Sequence, residues 1–170
     1  MMADLCIVSA KRTPQGRFLG GLKQRSPVDL ACAAGQSVLQ DIDGSKVDLV
    51  IVGNVLAAGQ GMNIARQVGI RLGLPPEVPA FTVNMMCGSG LQAVRLASQA
   101  IRSGEAKAVL CGGTESMSGA PYLLPRARQG LKLGDATLVD SILRDGLLDA
   151  FDGRHMGLLA EEMARTFGIS

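Results

Sequence analysis

The hydrophobic positions in the N-terminal part of the chain form short apolar runs separated by helical stripes. The runs contain few interspersed polar residues, which is typical of strands buried on both faces of a parallel sheet. The stripes repeat every three to four residues and indicate amphipathic helices. This pattern predicts four strands, at 5–9, 47–55, 81–83 and 106–110, of which the first and the last are expected to be buried.

Boundary signals between these runs predict three helices. Ser26 suits the N-cap of the first helix, with Pro27 at its first position and Asp29 in its first turn. Asn63 is expected to cap a short helix that ends at Gly73. The third helix follows strand 81–83, and we expect its buried face to consist of Leu91, Val94, Ala97, Ser98 and Ile101.

The pattern changes after Glu115. Residues 118–135 are rich in Gly, Pro, Arg and Leu without a clear period, and helices are predicted at 136–148 and 158–167 with no further strand. The alternation of strands and helices before this point predicts an α/β fold, with a mostly parallel sheet flanked by helices on both faces. We place a domain boundary between 1–117 and 118–170.

Composition narrows the classes of function. The chain has 47% hydrophobic residues, enough for a core, and a net charge of +2, which is too small to argue for a nucleic acid or an anionic membrane as partner. No apolar run approaches the roughly 18 residues that span a bilayer, and the start has no signal-peptide pattern, so a cytoplasmic location is predicted. The four cysteines show no CxxC spacing and accompany a single histidine, which predicts free thiols and no metal site.

The candidate chemistry lies in the stretch FTVNMMCGSGLQAV at 81–94, where a strand, a turn and a helix follow one another around Cys87. A cysteine at a helix N-terminus lies beside unpaired N–H groups and the positive end of the helix dipole, which favour thiolate over thiol. Gly88 and Gly90 allow a substrate or a neighbouring backbone to approach closely. The amides of the first turn are candidates to bind an oxyanion. The alternative is a structural thiol, since most cysteines are small buried hydrophobes.

The segment NMMCGSGLQAV at 84–94 resembles the active-site motif of the thiolases, N-x-x-C-G-S-G-x-x-A-V. In that motif the cysteine takes the acyl group from a CoA thioester. The resemblance extends over essentially the whole chain and is closest to the acetyl-CoA acetyltransferase branch of the family. It is carried by further segments in the family's order: SAKRTPQGRFLGGL, IVGNVLAAGQGMNIARQ, VPAFTVN, CGGTESMSGAPYLLP, GDATLVDSILRDGL and DGRHMG.

The resemblance implies an acyltransferase that condenses two acetyl-CoA molecules to acetoacetyl-CoA, or runs the reverse thiolysis. Cys87 would be the catalytic nucleophile, with coenzyme A thioesters as substrates and no cofactor. His155 and Met156 match a segment that lines the CoA and acyl groove, and Leu147 matches another groove position. The family also implies a homo-oligomer, a dimer or a tetramer, with 123–140 as the tetramer-forming loop.

The resemblance covers only the N-terminal portion of the family, whose chains are more than twice as long and insert a loop domain into the first of two similar halves. The histidine that activates the nucleophile and a second acid/base cysteine belong to the other half, and no stretch here matches either motif. The resemblance therefore implies a fragment that ends inside the loop domain. Such a fragment is expected to be inactive without its C-terminal half or a partner chain.

Two other readings stay open. The first is a non-catalytic CoA-binding or assembly piece of a split enzyme. Alternatively, Gly88-x-Gly90-x-x-Ala93 after a strand has the form of a dinucleotide-binding fingerprint. That fingerprint needs an acidic residue at the end of the next strand, whereas the strand here runs into Cys111-Gly112-Gly113 and the first acid beyond is Glu115.

Overall fold

The computed structural model describes residues 5–169, with only the backbone described at Asp41; residues 1–4 and Ser170, where the sequence ends, lie outside it. The chain divides into two compact units, Met1–Gly119 and Ala120–Ser170. Each unit is described by itself below. The assignment of residues 118–170 to an inserted loop domain stays a prediction.

The first unit is built on a three-stranded parallel sheet in the order β2-β1-β3. Its strands are β1 (Leu49–Gly53), β2 (Ala80–Val83) and β3 (Val109–Gly113). In the central strand, Ile51 pairs with Phe81 on one side and with Cys111 on the other. The predicted run at 47–55 therefore contains the central strand, and its buried, non-alternating pattern follows from the helices on both faces.

Three helices cover the two faces of this sheet: α1 (Pro27–Val38), α2 (Ile64–Arg71) and α3 (Ser89–Ser103). Val50 and Val52 join a core cluster with residues of α1 and α2, whereas Ile51 packs with Ala93 and Ala97 of α3. Alternate residues of β1 thus face different helices, as the pleat of a strand requires. The predicted α/β class, with a parallel sheet between helical layers, is confirmed.

The helix starts of α1 and α2 follow the predicted capping residues. Ser26 Oγ accepts the Asp29 N–H at 3.1 Å while Asp29 Oδ2 accepts the Ser26 N–H at 2.9 Å, which completes a capping box. Arg71 at the end of α2 binds Asp29 Oδ1 at 2.7 Å. Asn63 accepts the Arg66 N–H at 3.2 Å from a left-handed backbone, a conformation that asparagine tolerates.

The predicted first strand at 5–9 is wrong. Residues 5–9 adopt no regular structure, and Ile7 and Val8 are exposed. An apolar run indicates a preference for burial, but a strand forms only where a neighbour pairs with its backbone N–H and C=O groups. The described sheet of the first unit consists of β1, β2 and β3, which pair with one another.

The predicted buried face of α3 is confirmed at Ala97 and is wrong at the other four positions, Leu91, Val94, Ser98 and Ile101, which are exposed or half-buried. The buried residues are Ser89, Ala93, Ala97 and Ala100, while Leu91 is 75% exposed. The prediction favours large apolar side chains for the buried face. Because α3 lies close to the sheet, only small side chains fit between the helix and the strands. Alanines spaced three and four residues apart form the stripe that faces β1 and β3.

The second unit contains the strands β4 (Tyr122–Leu123) and β5 (Val139–Asp140), which pair antiparallel, and the helix α4 (Met156–Phe167). A π-helical segment, Leu143–Leu147, lies between β5 and α4. The prediction of no further strand is therefore wrong, and the helix predicted over 136–148 is helical only at 141–147. Asp140 Oδ1 accepts the Ile142 N–H at 2.8 Å, which is a bond of the N-cap type, so the helical backbone begins after Asp140 rather than at residue 136.

The capping box yields a prediction about acid stability. The backbone hydrogen bond from Ser26 and the hydrogen bond from Arg71 lower the pKa of Asp29 to about 2 from its usual 3.8. Because the folded-state pKa is depressed, the stabilisation is complete above pH 4 and is lost as the pH falls toward 2. We expect Asp29→Asn to lower the free energy of unfolding by about 1 kcal/mol at pH 7.

Urea unfolding followed by circular dichroism between pH 2.5 and 7 measures this effect, with the exposed Asp135→Asn as control. The difference between wild type and Asp29→Asn should shrink below about pH 4, whereas Asp135→Asn should behave like wild type throughout. A difference that stays constant across the acid range would contradict the assignment.

Candidate functional site

Cys87 lies in the turn between β2 and α3, directly before the N-cap residue Gly88. The helix begins at Ser89 rather than near Leu91, so the predicted strand-turn-helix is present with a shorter turn. Cys87 is exposed at this helix start. Gly88 N–H donates to Met85 O and Ser89 N–H to Met86 O, both at 3.0 Å, so these two amides already have acceptors. The Cys87 N–H has no acceptor among residues 5–169.

Met86, immediately before the cysteine, has a left-handed backbone with φ 49°. This conformation is unfavourable for a residue with a side chain, by about 1–2 kcal/mol. Asn84 Oδ1 accepts the Met86 N–H at 2.9 Å, while Ser89 Oγ donates to Met86 O at 2.6 Å and accepts the Met85 N–H at 2.9 Å. The turn is thus held by Asn84 and Ser89, which are fixed letters of the motif N-x-x-C-G-S-G but received no role of their own in the sequence analysis, although Asn and Ser at turns and helix starts were the available signal.

The first turn of α3 lies against the carboxyl ends of β1 and β3 at three glycines. A Cβ atom on Gly53 would lie 2.5 Å from the carbonyl carbon of Ser89 and 2.7 Å from the amide nitrogen of Gly90. A Cβ atom on Gly113 would lie 3.0 Å from Gly90 Cα. The missing side chains of Gly53 and Gly113 therefore allow this approach, whereas a Cβ atom on Gly90 would lie at an ordinary 3.6 Å from Gly113 Cα. The predicted role of Gly90 in close approach to the sulfur stays a prediction. Gly88 is different, because its open side is filled by the side-chain methyl of Met85.

The other cysteines differ from Cys87 in their surroundings. Cys32 is buried in the core on the α1 side, and burial raises the pKa of its thiol. Cys111 is half-buried in β3, where burial likewise raises the pKa of its thiol. A raised pKa keeps both groups protonated and unreactive at neutral pH. Cys6 is exposed, as Cys87 is, but belongs to the irregular segment before α1.

His155, Met156 and Leu147 lie in the second unit, and its local structure brings them close together. His155 is the N-cap of α4 and Met156 is the first residue of that helix. Leu147 ends the π-helical segment, and the next residue, Leu148, forms an antiparallel bridge with His155. Cys87 belongs to the first unit.

The ring of His155 has a defined hydrogen-bonding role. His155 Nδ1 accepts the Gly157 N–H at 3.0 Å, which satisfies one of the free amides at the start of α4. The neutral ring in this arrangement carries its proton on Nε2. The sequence predicted a substrate-binding residue at this position and gave no sign of the capping role, because histidine is not among the common N-cap residues.

Among residues 5–169, no three His, Cys, Asp or Glu side chains are grouped in a way that would hold a metal ion. Within the same range, each helix is too short or too polar to cross a lipid bilayer.

Comparison with known proteins places the chain in a family. The family model described as "Thiolase, N-terminal domain" matches residues 5–170. An acetyl-CoA acetyltransferase of Pseudomonas aeruginosa is 48% identical over 99% of the chain, and one of Escherichia coli is 49% identical over 99%. The crystal structure of the Bacillus anthracis acetyl-CoA acetyltransferase superposes with a TM-score of 0.90 over 96% of the chain, at 32% identity.

The chain spans less than half the length of the relatives that it matches. It covers 44% of the two relatives from P. aeruginosa and E. coli and 42% of the B. anthracis structure. The matching family model is described as an N-terminal domain, and each of these proteins is matched over less than half of its length.

The glycine contacts yield a prediction with a matched control. Gly53→Ala should lower the free energy of unfolding by about 1–3 kcal/mol, because the added methyl group meets backbone atoms that cannot move aside without displacing α3. Gly112→Ala adds the same methyl group in the neighbouring strand, where no atom lies within 4 Å. We expect that control to change the stability by less than about 0.5 kcal/mol.

Chemical unfolding of the two variants side by side measures this difference. Equal stability of Gly53→Ala and Gly112→Ala would show that the backbone of α3 does not lie against the end of β1.

Proposed function

The chain belongs to the thiolase family, and on this premise we propose that it is the N-terminal part of an acetyl-CoA acetyltransferase whose nucleophile is Cys87. The observation that carries the proposal is the placement of an exposed thiol directly before a helix start, on a turn held by hydrogen bonds. Such a position favours the thiolate, which is the nucleophilic form. The reaction is proposed from the names of the relatives from P. aeruginosa and E. coli, both of which are acetyl-CoA acetyltransferases.

The reaction has two half-steps in this proposal. A base removes the proton of the Cys87 thiol, the thiolate attacks the thioester carbonyl carbon of acetyl-CoA, the bond from that carbon to the CoA sulfur breaks, and CoA takes up that proton and leaves as the thiol. The acetyl group is then held as a thioester on Cys87. A second acetyl-CoA loses a proton from its α-carbon and attacks the acetyl carbonyl, which forms acetoacetyl-CoA and releases the Cys87 thiolate. Thiolysis of acetoacetyl-CoA is the same sequence in reverse.

The oxyanion of the first half-step needs a hydrogen-bond donor close to the attacked carbon. We assign one donor to the backbone N–H of Cys87 itself, because this amide has no acceptor among residues 5–169. The amides of Gly88 and Ser89 are less suited, since both donate to backbone oxygens in the turn. The sequence predicts that the amides of the first turn as a group bind the oxyanion. We now propose the Cys87 N–H in place of that group.

The proton acceptors of the reaction are expected outside this stretch of sequence. The chain has one histidine, His155, whose Nδ1 accepts the Gly157 N–H and whose Nε2 then carries a proton. Neither nitrogen in this form is free to accept the proton of a thiol. We therefore expect the 170-residue chain to lack turnover by itself and to need the residues that the longer relatives supply.

His155, Met156 and Leu147 are proposed to bind the substrate. The Nε2–H of His155 remains available as a donor after the helix cap is made. Met156 is 38% exposed and Leu147 is half-buried, so both offer apolar surface suited to the acyl group and the pantetheine arm of CoA. The resemblance of this segment to the groove of the family supports the same assignment.

We also propose a cytoplasmic homo-oligomer, a dimer or a tetramer. Leu131, Leu133 and Leu138 are exposed in the segment that resembles the family's tetramer-forming loop. Exposed leucines in sequence proximity are typical of surfaces that a partner covers.

Acetyl transfer to Cys87 is tested by intact-mass measurement and peptide mapping after incubation with acetyl-CoA. The protein used is the full-length one, with the C-terminal part present. We expect one acetyl group per chain on Cys87, no acetyl mass on Cys87→Ala, and normal acetylation of Cys6→Ala, because Cys6 is exposed but lies away from a helix start.

Two outcomes would overturn the proposal. Acetylation of Cys87→Ala would exclude Cys87 as the nucleophile. Saturable binding of acetyl-CoA without acetyl transfer, by a full-length protein that is folded, would favour the non-catalytic CoA-binding reading.

A further inference from the structure

Asn54 and Glu115 form a polar pair at the carboxyl ends of β1 and β3, beside the turn that carries Cys87. Asn54 is 2% exposed, and its Nδ2 donates to Thr114 O at 3.0 Å and to Glu115 Oε1 at 2.9 Å. Glu115 also accepts the Val55 N–H through Oε2 at 2.9 Å. The proposed acetyl transfer assigns no role to either side chain.

The geometry requires an amide at position 54 and a carboxylate at position 115. Both partners of Asn54 Nδ2 are acceptors, so the amide cannot turn over without placing oxygen against oxygen. Both oxygens of Glu115 accept hydrogen bonds from N–H groups, Oε1 from Leu56 N–H at 3.3 Å in addition to the Asn54 bond. A glutamine at 115 would place an NH₂ group against one of these donors.

The pair has features that stability alone does not account for. Asn54 Oδ1 is buried without a hydrogen-bond partner among residues 5–169, which is unfavourable for folding. Glu115 takes part in no ion pair among the same residues, so neutral N–H groups alone balance its charge. An apolar pair would avoid both costs.

Position 54 joins the ends of all three parallel strands. The Asn54 N–H donates to Val83 O at 3.1 Å at the end of β2, and its side chain reaches Thr114 beyond β3. Thr114 N–H in turn donates to Gly53 O at 2.9 Å. The side chains of Asn54 and Glu115 therefore add side-chain hydrogen bonds to the backbone hydrogen bonds that join the ends of β1 and β3.

The first turn of α3, which directly follows Cys87 and Gly88, packs against these strand ends. Gly53 and Gly113 contact the first turn of α3, and Val83 leads directly into the turn. A shift of one strand end relative to another would move the helix start and the sulfur with it.

We propose that Glu115 and Asn54 are positioning residues for Cys87: they fix the carboxyl ends of the three strands relative to one another and so set the reactivity of the thiol, without touching the substrate. This inference rests on the proposed function, in which Cys87 is the nucleophile.

The test is the second-order rate of alkylation of Cys87 by iodoacetamide at pH 7, followed by peptide mass spectrometry on the folded chain. We expect Glu115→Gln to lower this rate by about two- to fivefold. This is the increase in thiol reactivity that a helix N-terminus is expected to give, and it would be lost if the helix start moved away from the sulfur. Asn54→Ala should lower it in the same direction. If Glu115→Gln does not fold, Asn54→Ala provides the test. Glu115 keeps its hydrogen bonds from the Val55 and Leu56 N–H groups in that variant, so we expect it to fold.

Val68→Ala is the matched control for a loss of stability. Val68 is 2% exposed in the core cluster with α1 and α2, on the face of the sheet opposite α3. This variant should unfold at lower denaturant concentration but alkylate Cys87 at the wild-type rate. A merely structural role of Glu115 would give the same result as Val68→Ala.

The outcomes separate this inference from the proposed function. If wild-type Cys87 reacts faster than glutathione and both Glu115→Gln and Asn54→Ala keep the wild-type rate, the positioning role is overturned while the nucleophile assignment stands. If wild-type Cys87 reacts no faster than glutathione, both the nucleophile assignment and the positioning role fail.

Discussion

The close contact between the first turn of α3 and the ends of β1 and β3 determines where the candidate nucleophile lies. Gly53 and Gly113 make this contact possible, since a Cβ atom on either residue would approach backbone atoms of α3 to 3.0 Å or less. The alanine stripe on α3 continues the close approach along the helix. In the turn before this helix, Met86 takes up a left-handed backbone. Cys87 is exposed as the next residue.

Much of this arrangement could be predicted from the sequence, where local signals agree with the fold. Ser26, Pro27 and Asn63 are helix-start signals that operate within a few residues, and the structure has helices at these points. Likewise the apolar run at 47–55 contains β1, and the run at 81–83 covers β2 except for its first residue, Ala80. Cys87 was placed at a helix start for the same reason, because strand, glycine-containing turn and helix follow directly in the sequence.

The errors arose where distant parts of the chain decide the structure. Residues 5–9 are apolar, but no pattern in the sequence says whether another strand will pair with them. Residues 136–148 have helical spacing, yet Val139 and Asp140 pair with β4, which lies well before them in the sequence. The buried face of α3 depends on glycines in two other strands. The pairing of Asn54 with Glu115 and the capping role of His155 are also set by spatial neighbours or by an uncommon use of the residue type.

The central claim is that the start of α3 makes Cys87 a better nucleophile than an equally accessible thiol. The chain contains its own reference, because Cys6 is also exposed but lies in an irregular segment. The most direct measurement is competition between these two thiols for a limiting amount of dithiodipyridine at pH 7, with each labelled peptide quantified by mass spectrometry. The position of Cys87 directly before the start of α3 predicts that it is labelled about two- to fivefold faster than Cys6. Equal labelling of Cys6 and Cys87 would contradict the account.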